Sequence, residues 1–238
     1  MDAGAGHPKP GQPRTIGRGV FLATVFGGAS SLFWGKAAWS RVSGTIGGAE
    51  AFVPLIPTSG WRIYTVANTM PTFQPDTWRL TVGGLVEQQM SIDYHQLRSL
   101  PRVEQVSDFH CVTGWSVDKV HWGGVRLSDF LDRVSPLSEA HAVEFVSAEI
   151  PYVDALTLKQ ARLHDVLLAY EMDGRPLPRE HGAPLRLVIP EMYGYKNVKW
   201  VERIDLVPHT QPGYWELLGY DVDAWVGRSN NRPPLIGE

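Results

Sequence analysis

The sequence predicts an α+β fold with mixed sheets and short helices, and three observations carry that reading. Period-two apolar runs recur without the regular strand–helix alternation of parallel winding. The clearest amphipathic helix is short. Glycine and proline are frequent, 24 and 18 of them, so the chain is interrupted too often for long elements.

Taken in order from residue 60, the first strand lies over 77–82, with Trp78, Leu80 and Val82 on one face and Gly83-Gly84 ending it. Ser91 is expected to cap a short helix carrying Ile92, Leu97 and Leu100. A strand-like run over 103–109 feeds Cys111, and a Thr113-Gly114 turn follows. Leu127, Phe130, Leu131 and Val134 fall at i, i+3, i+4 and i+7, an amphipathic helix opened by Ser128 or a neighbour. Further strands are expected at 142–148, 167–172, 185–189 and 201–207. Asp173-Gly174, set between Met172 and Arg175, predicts a hairpin, because both turn positions favour positive φ.

Around this domain, assigned to 60–208, the chain divides further. Residues 1–13 are Gly- and Pro-rich and expected to be disordered. Residues 14–38 read as a signal or membrane-anchor segment: Arg14 and Arg18 precede an apolar run over 19–34. That run is shorter than the about 20 residues of a membrane span but long enough for a signal. Arg18-Gly19-Val20-Phe21-Leu22 resembles a twin-arginine signal with glycine in place of the second arginine. No clear cleavage site follows, so a removed signal and an uncleaved anchor both stay open. Export to the outer side of the cell membrane, or to a periplasm-like space, is the expectation. Residues 39–59 form a linker and 209–238 an aromatic extension.

The net charge of −3, with no run of lysine or arginine, argues against a nucleic-acid partner. Cys111 is the single cysteine, which excludes an intramolecular disulfide. A lone thiol is either an inert apolar residue or a reactive ligand or nucleophile. No GxGxxG after a strand, no P-loop and no HExxH occurs, so nicotinamide, nucleoside-triphosphate and zincin chemistry have no support.

Two clusters carry chemistry. Cys111 stands at a strand end in Asp108-Phe109-His110-Cys111-Val112-Thr113-Gly114-Trp115-Ser116, a usual station for a site residue. Far along the chain, His181, Arg186 and Lys199 flank one strand and one loop. Such a set suits an anionic phosphate, arginine as a fork and lysine as a point charge. On spacing alone, solvated surface charges fit equally well.

The run from Leu167 through Pro178, then His181-Gly182-Ala183-Pro184-Leu185-Arg186 and Val198-Lys199-Trp200, resembles the molybdopterin-binding core of the sulfite oxidase family. His110-Cys111-Val112-Thr113-Gly114-Trp115-Ser116 is similar to the family's bacterial periplasmic methionine-sulfoxide reductase branch, whose Cys-Val-x-x-Trp-Ser carries the metal ligand. The resemblance implies a molybdenum–molybdopterin cofactor with Cys111 as the protein's metal ligand and catalytic residue. It places Arg186 and Lys199 on the pterin phosphate. His181 and the backbone around Asn197 and Val198 would contact the pterin. Ser147 would stand where the family has a cofactor-contacting threonine, and Asn68 in an early cofactor-contacting loop.

The implied reaction is oxygen-atom transfer coupled to two-electron redox between Mo(VI) and Mo(IV), as in reduction of an S-oxide or N-oxide. The implied substrate is a small molecule or of the methionine-sulfoxide type. No arginine follows Cys111 where sulfite-oxidising relatives carry one, which speaks against sulfite; sulfite-type oxidation on the same site is the alternative. No heme-binding segment is recognisable, which implies a separate electron partner, a heme protein. The lack of an immunoglobulin-like dimerisation segment implies a monomer. Two other readings remain from the residues: a metal-free enzyme with Cys111 as nucleophile, and an inactive binding module of the same fold.

Overall fold

A computed structural model describes residues 60–229. The expectations for 1–13, 14–38 and 39–59, and for 230–238 of the extension, lie outside the described residues. In order, the elements are β1 (Leu80–Gly84), β2 (Met90–Ile92), α1 (Tyr94–Arg98), β3 (Val103–Cys111), β4 (Trp115–Arg126), α2 (Leu127–Val134), β5 (Ala142–Ser147), β6 (Val153–Thr157), α3 (Leu158–Ala161), β7 (Leu167–Met172), β8 (Arg175–Pro176), β9 (Arg186–Val188) and β10 (Val201–Val207).

They build two sheets. The first runs β2-β1-β10-β5-β6, with β1 parallel to β10 and the other pairs antiparallel. The second runs β3-β4-β7-β8, with β9 also paired to β7. Mixed sheets with short helices are what the interrupted pattern predicts.

The amphipathic reading of α2 holds: Leu127, Phe130, Leu131 and Val134 are wholly buried. Its N-cap is Arg126, which makes no side-chain capping bond, while Ser128 lies inside the helix and bonds Asp129. Ser91 likewise does not cap. It sits with Ile92 in β2, and Asp93 opens α1 through a capping box with Gln96. A carboxylate two residues later, matched by a glutamine at N3, satisfies two backbone donors at once. The Asp173-Gly174 hairpin forms, with φ of 50° and 72°.

Two features position the site. The first is the long β3–β4 hairpin, whose last pair is Cys111 with Trp115. Its register shifts between Ser107 and Phe109, where Lys119 adopts φ 53° and its N–H donates to Asp108 Oδ1 at 2.8 Å. Such a bulge bends the strand and re-aims the side chains beyond it. The second is a small apolar cluster of Val120, Trp122, Leu167, Ala169, Leu177 and Val188, against which Trp61 and Phe109 pack.

Beyond β10 the chain returns to the core. Tyr214 N–H donates to the Val153 carbonyl at 3.0 Å, Tyr193 N–H to that of Ala224 at 2.9 Å and Val226 N–H to that of Glu191 at 2.9 Å. The aromatic extension thus closes over β6 and the loop after β9.

Truncating Leu131 to alanine is expected to lower the unfolding free energy by about 2–5 kcal/mol, the usual cost of a cavity at a fully buried leucine. Urea denaturation measures it, and a loss below about 1 kcal/mol would mean that α2 is not a core element.

Candidate functional site

At the tip of the bulged hairpin, Cys111 is half-buried and its Sγ lies 3.1 Å from Thr113 Oγ1. His110 is directed elsewhere, its Nδ1 2.7 Å from Ser116 Oγ. No histidine hydrogen-bonds Cys111 among the described residues, so the metal-free nucleophile lacks the base it needs.

Phe109, two residues before the cysteine, shares its face of β3. Its ring lies 4.9 Å from that of Trp61 and 5.7 Å from that of Trp115. Gly194 sits so close that a Cβ there would fall 2.4 Å from Phe109 Cζ. Only glycine lets the loop after β9 lie on this ring.

Arg186 opens β9 and is 2% exposed. Its guanidinium lies over the rings of Phe109 (5.5 Å) and Trp122 (5.1 Å) and donates to the carbonyls of His181 (3.1 Å) and Asn197 (3.5 Å). Burial lowers its pKa to about 10. Half-buried Lys199 donates to the carbonyls of Tyr64 (2.7 Å) and Glu180 (3.4 Å), with Nζ 4.1 Å from the Trp200 ring centroid. Burial, and then the Arg186 charge, lower its pKa to about 8. His181 meets Trp61 edge-on at 4.7 Å; burial, followed by the Arg186 charge, lowers its pKa to about 4 and keeps the imidazole neutral.

His181, Arg186 and Lys199 are therefore brought together, and they are not solvated surface charges. The Asn197 side chain is occupied in stapling its own loop, accepting from Ile189 N–H at 2.6 Å and donating to Met192 and Tyr193 carbonyls at 3.3 Å. Val198 is buried, with its N–H on the Lys196 carbonyl and its own carbonyl taken by Leu187 N–H. The Ser147 hydroxyl donates to the Lys199 carbonyl at 2.7 Å and accepts from Glu149 N–H. Asn68 is exposed in a bend beside Ala67, a segment held by buried Glu149, which accepts from the Thr65 hydroxyl and from Val66 N–H (2.7 Å) and Ala67 N–H (3.3 Å).

Sequence reasoning missed Tyr64, Glu149 and Tyr220. Tyr64 stacks on Trp115 at 6.5 Å. Tyr220 packs edge-on against Tyr195 and Trp215, each at 5.4 Å; its phenol pKa is raised by burial, then by Cys111 and Tyr64 close by. Both tyrosines lie in segments without a local motif, and the fold alone brings Tyr64 onto Trp115, the cross-strand partner of Cys111, and Tyr220 onto Tyr195 and Trp215.

The donor set fits a phosphate-bearing soft-metal cofactor. Neither Arg186 nor Lys199 forms an ion pair with a carboxylate among the described residues. A buried cation without a counter-charge is costly, and a bound phosphate supplies one. The buried Nε1 atoms of Trp115 and Trp122 likewise lack a partner among the described residues. Cys111 adds the thiolate a soft metal selects.

Arg186→Lys keeps the charge but loses the planar fork, so cofactor retained after gel filtration should fall at least about tenfold, or ~1.4 kcal/mol. Normal retention would contradict the assignment. Lys199 carries its proton below about pH 8 and loses it above. A bound phosphate favours the ammonium form, so retention should be full below that pH and decline as pH rises through it. Lys199→Arg should flatten that decline; an unchanged pH profile would exclude Lys199 from the anion.

The sequence profile of the oxidoreductase molybdopterin binding domain matches residues 67–215, more than half of the chain. The uncharacterized oxidoreductase YuiH of Bacillus subtilis is 35% identical over 198 residues, covering 82% of this chain and 96% of that protein. The protein-methionine-sulfoxide reductase catalytic subunit MsrP of Gluconobacter oxydans is 36% identical over 181 residues, covering 69% of this chain but 58% of the relative. The chain thus spans little more than half of that relative's length. Among solved structures, the sulfane dehydrogenase SoxCD of Paracoccus pantotrophus superposes with a TM-score of 0.55 at 23% identity, over 59% of this chain and 41% of that one, a likeness of fold. The chain belongs to the sulfite oxidase family of molybdopterin-binding oxidoreductases, and its cofactor is molybdenum held by molybdopterin.

Proposed function

We propose that this oxidoreductase reduces a neutral S-oxide of the methionine-sulfoxide type, with Cys111 as the protein ligand to the metal. One observation carries the choice of substrate: among the described residues, Cys111 Sγ meets the Thr113 hydroxyl and Cys111 pairs across the hairpin with Trp115, on which Tyr64 stacks, and no cation hydrogen-bonds the thiol. Sulfite, an anion, calls for a cation at that place. A thioether oxide calls for an apolar wall and one hydrogen-bond donor. The similarity to MsrP points the same way.

When bound, the cofactor supplies the two-electron redox change and the oxygen-atom transfer. The chain supplies the rest. Thr113 donates its hydroxyl hydrogen to the Cys111 thiolate and holds the sulfur in place. Arg186 and Lys199 would hold the phosphate, and His181, being neutral, would contact the pterin by hydrogen bonding without adding charge. Asn197, Val198 and Ser147 keep the surrounding backbone in position. Asn68 stands on the segment tethered by Glu149 and would contact the cofactor from there.

For the proton donor to the substrate we infer Tyr220: its phenol, protonated at neutral pH, would donate a hydrogen bond to the S-oxide oxygen and a proton as the S–O bond breaks. The balance is one S-oxide, two electrons and two protons giving one thioether and one water. The electrons come from a separate donor, for which we infer a heme protein. We also infer that the protein works outside the cytoplasm, on the basic-then-apolar order of residues 14–38. No helix among the described residues is long and apolar enough to cross a membrane.

Molybdenum-loaded enzyme given a reduced viologen dye should turn over methionine sulfoxide and leave sulfite untouched. Tyr220→Phe should lower kcat at least about tenfold, the scale of a general acid, with molybdenum content unchanged. Sulfite oxidation without S-oxide turnover would overturn the reading.

A further inference from the structure

A buried ion cluster lies apart from the cofactor residues. Lys196 Nζ donates to Asp154 Oδ1 at 2.7 Å, to the Ala155 carbonyl at 3.0 Å and to Glu216 Oε1. The three charged side chains are only 2%, 2% and 1% exposed. Glu216 Oε2 in turn accepts from Gly213 N–H at 2.9 Å. Gly213 lies flat on the other carboxylate, where a Cβ would come within 2.6 Å of Asp154 Cγ.

Each member belongs to a different segment. Asp154 is on β6. Lys196 ends the short turn Gly194–Lys196, whose glycine seats on Phe109 and which leads directly to Asn197, the carbonyl acceptor of Arg186. Glu216 opens the turn Glu216–Leu218, which ends at Gly219 with φ 100° and delivers Tyr220. Tyr195, next to Lys196, packs on Tyr220 and donates its hydroxyl to the Asp221 carbonyl at 2.6 Å.

We propose that Lys196 is a positioning residue for the reaction: through Asp154 and Glu216 it locks the C-terminal turn to the loop that carries Asn197 and Lys199 and so fixes where Tyr220 points. Stability alone is a poor account of the cluster. Buried ion pairs rarely outperform apolar residues of the same volume, and their best-attested use is to select one register. This cluster carries two carboxylates against one ammonium, and Asp154 Oδ2 has no partner among the described residues. Apolar side chains would hold the turn down without fixing where Tyr220 points.

The charge excess gives the lock a pH dependence. Burial, with Glu216 adding to it against Lys196, raises the Asp154 pKa to about 7. The other titratable group facing the cluster is Tyr152, itself close to Glu149 and held protonated by burial. Because the folded pKa of Asp154 lies above its unfolded value, its contribution is full in acid and is lost as pH rises through about 7.

The test is hydrogen exchange by mass spectrometry on the full, molybdenum-loaded chain. Glu216→Ala leaves the neutral Lys196–Asp154 pair in place and unhooks only the turn. Amides of 213–221 should lose at least about tenfold protection while β5 and β10 keep theirs. Tyr220→Phe should then cost less than about twofold in kcat in that background, the non-additivity expected when one residue acts through another. Unchanged protection, or a full Tyr220→Phe effect in Glu216→Ala, would overturn the proposal. Should Glu216→Ala fail to fold, Asp154→Asn serves. It keeps the Oδ1 acceptor and removes the charge, so the turn should stay protected and its loosening between about pH 4 and 7 should vanish. Loosening that persists in Asp154→Asn would overturn the proposal. The exchange arm holds whatever oxygen acceptor the enzyme uses, so failure of the S-oxide assignment is seen separately.

Discussion

The structure depends on a buried guanidinium for which the described protein provides no carboxylate. Arg186 is enclosed between two aromatic rings and two peptide carbonyls, an environment that stabilises its planar faces and some of its N–H groups but leaves its charge uncompensated. A protein tolerates this where a ligand brings the missing charge. Lys199, weakened as a base by the same burial and by Arg186 itself, makes the demand stronger. Burying two cations side by side is unfavourable without an anion between them, and a pterin phosphate would satisfy both.

Much of the remaining architecture holds that arrangement in place. Beyond the bulge at Asp108, the β3–β4 tip carries Phe109 and Cys111, two residues apart, on one face. Phe109 then serves on two sides, as a platform for Arg186 and as the seat of Gly194. The loop beginning at Gly194 carries Asn197 and Lys199, so the basic cluster and the strand of Cys111 are linked through one aromatic ring. The C-terminal segment closes over β6 and the loop after β9. Redox chemistry belongs to the cofactor, and the fold supplies charge and geometry.

Local chemistry was legible in the sequence, and long-range convergence was not. The helix of Leu127, Phe130, Leu131 and Val134, the Asp173-Gly174 turn and the strands around Cys111 and Arg186 each announce themselves by spacing or turn chemistry. Ser91 misled because its apolar neighbour Ile92 belongs to a strand, and the better cap, Asp93 with Gln96, stood two residues on. The full length of β4 and all of β6 escaped because their glycines, charges and short apolar runs break the period-two signal. Site residues were readable where a motif held them together, as at Cys111 and between His181 and Lys199. Tyr64, Glu149 and Tyr220 have no such neighbours, and only tertiary packing brings them to Trp115, to the 65–67 segment and to Tyr195 respectively. The cluster of Lys196, Asp154 and Glu216 was invisible for the same reason, since three ordinary charges distant in sequence read as surface residues.

The central claim is that Cys111 binds the metal of a cofactor anchored by Arg186 and Lys199. X-ray absorption at the molybdenum edge tests it most directly, comparing wild-type enzyme with Cys111→Ser purified from the same cofactor-competent host. The account predicts that the variant still carries molybdenum, because the phosphate anchor is intact, and that its metal has one sulfur neighbour fewer. An identical sulfur count in the two proteins would show that the cysteine is not a ligand and would contradict the account.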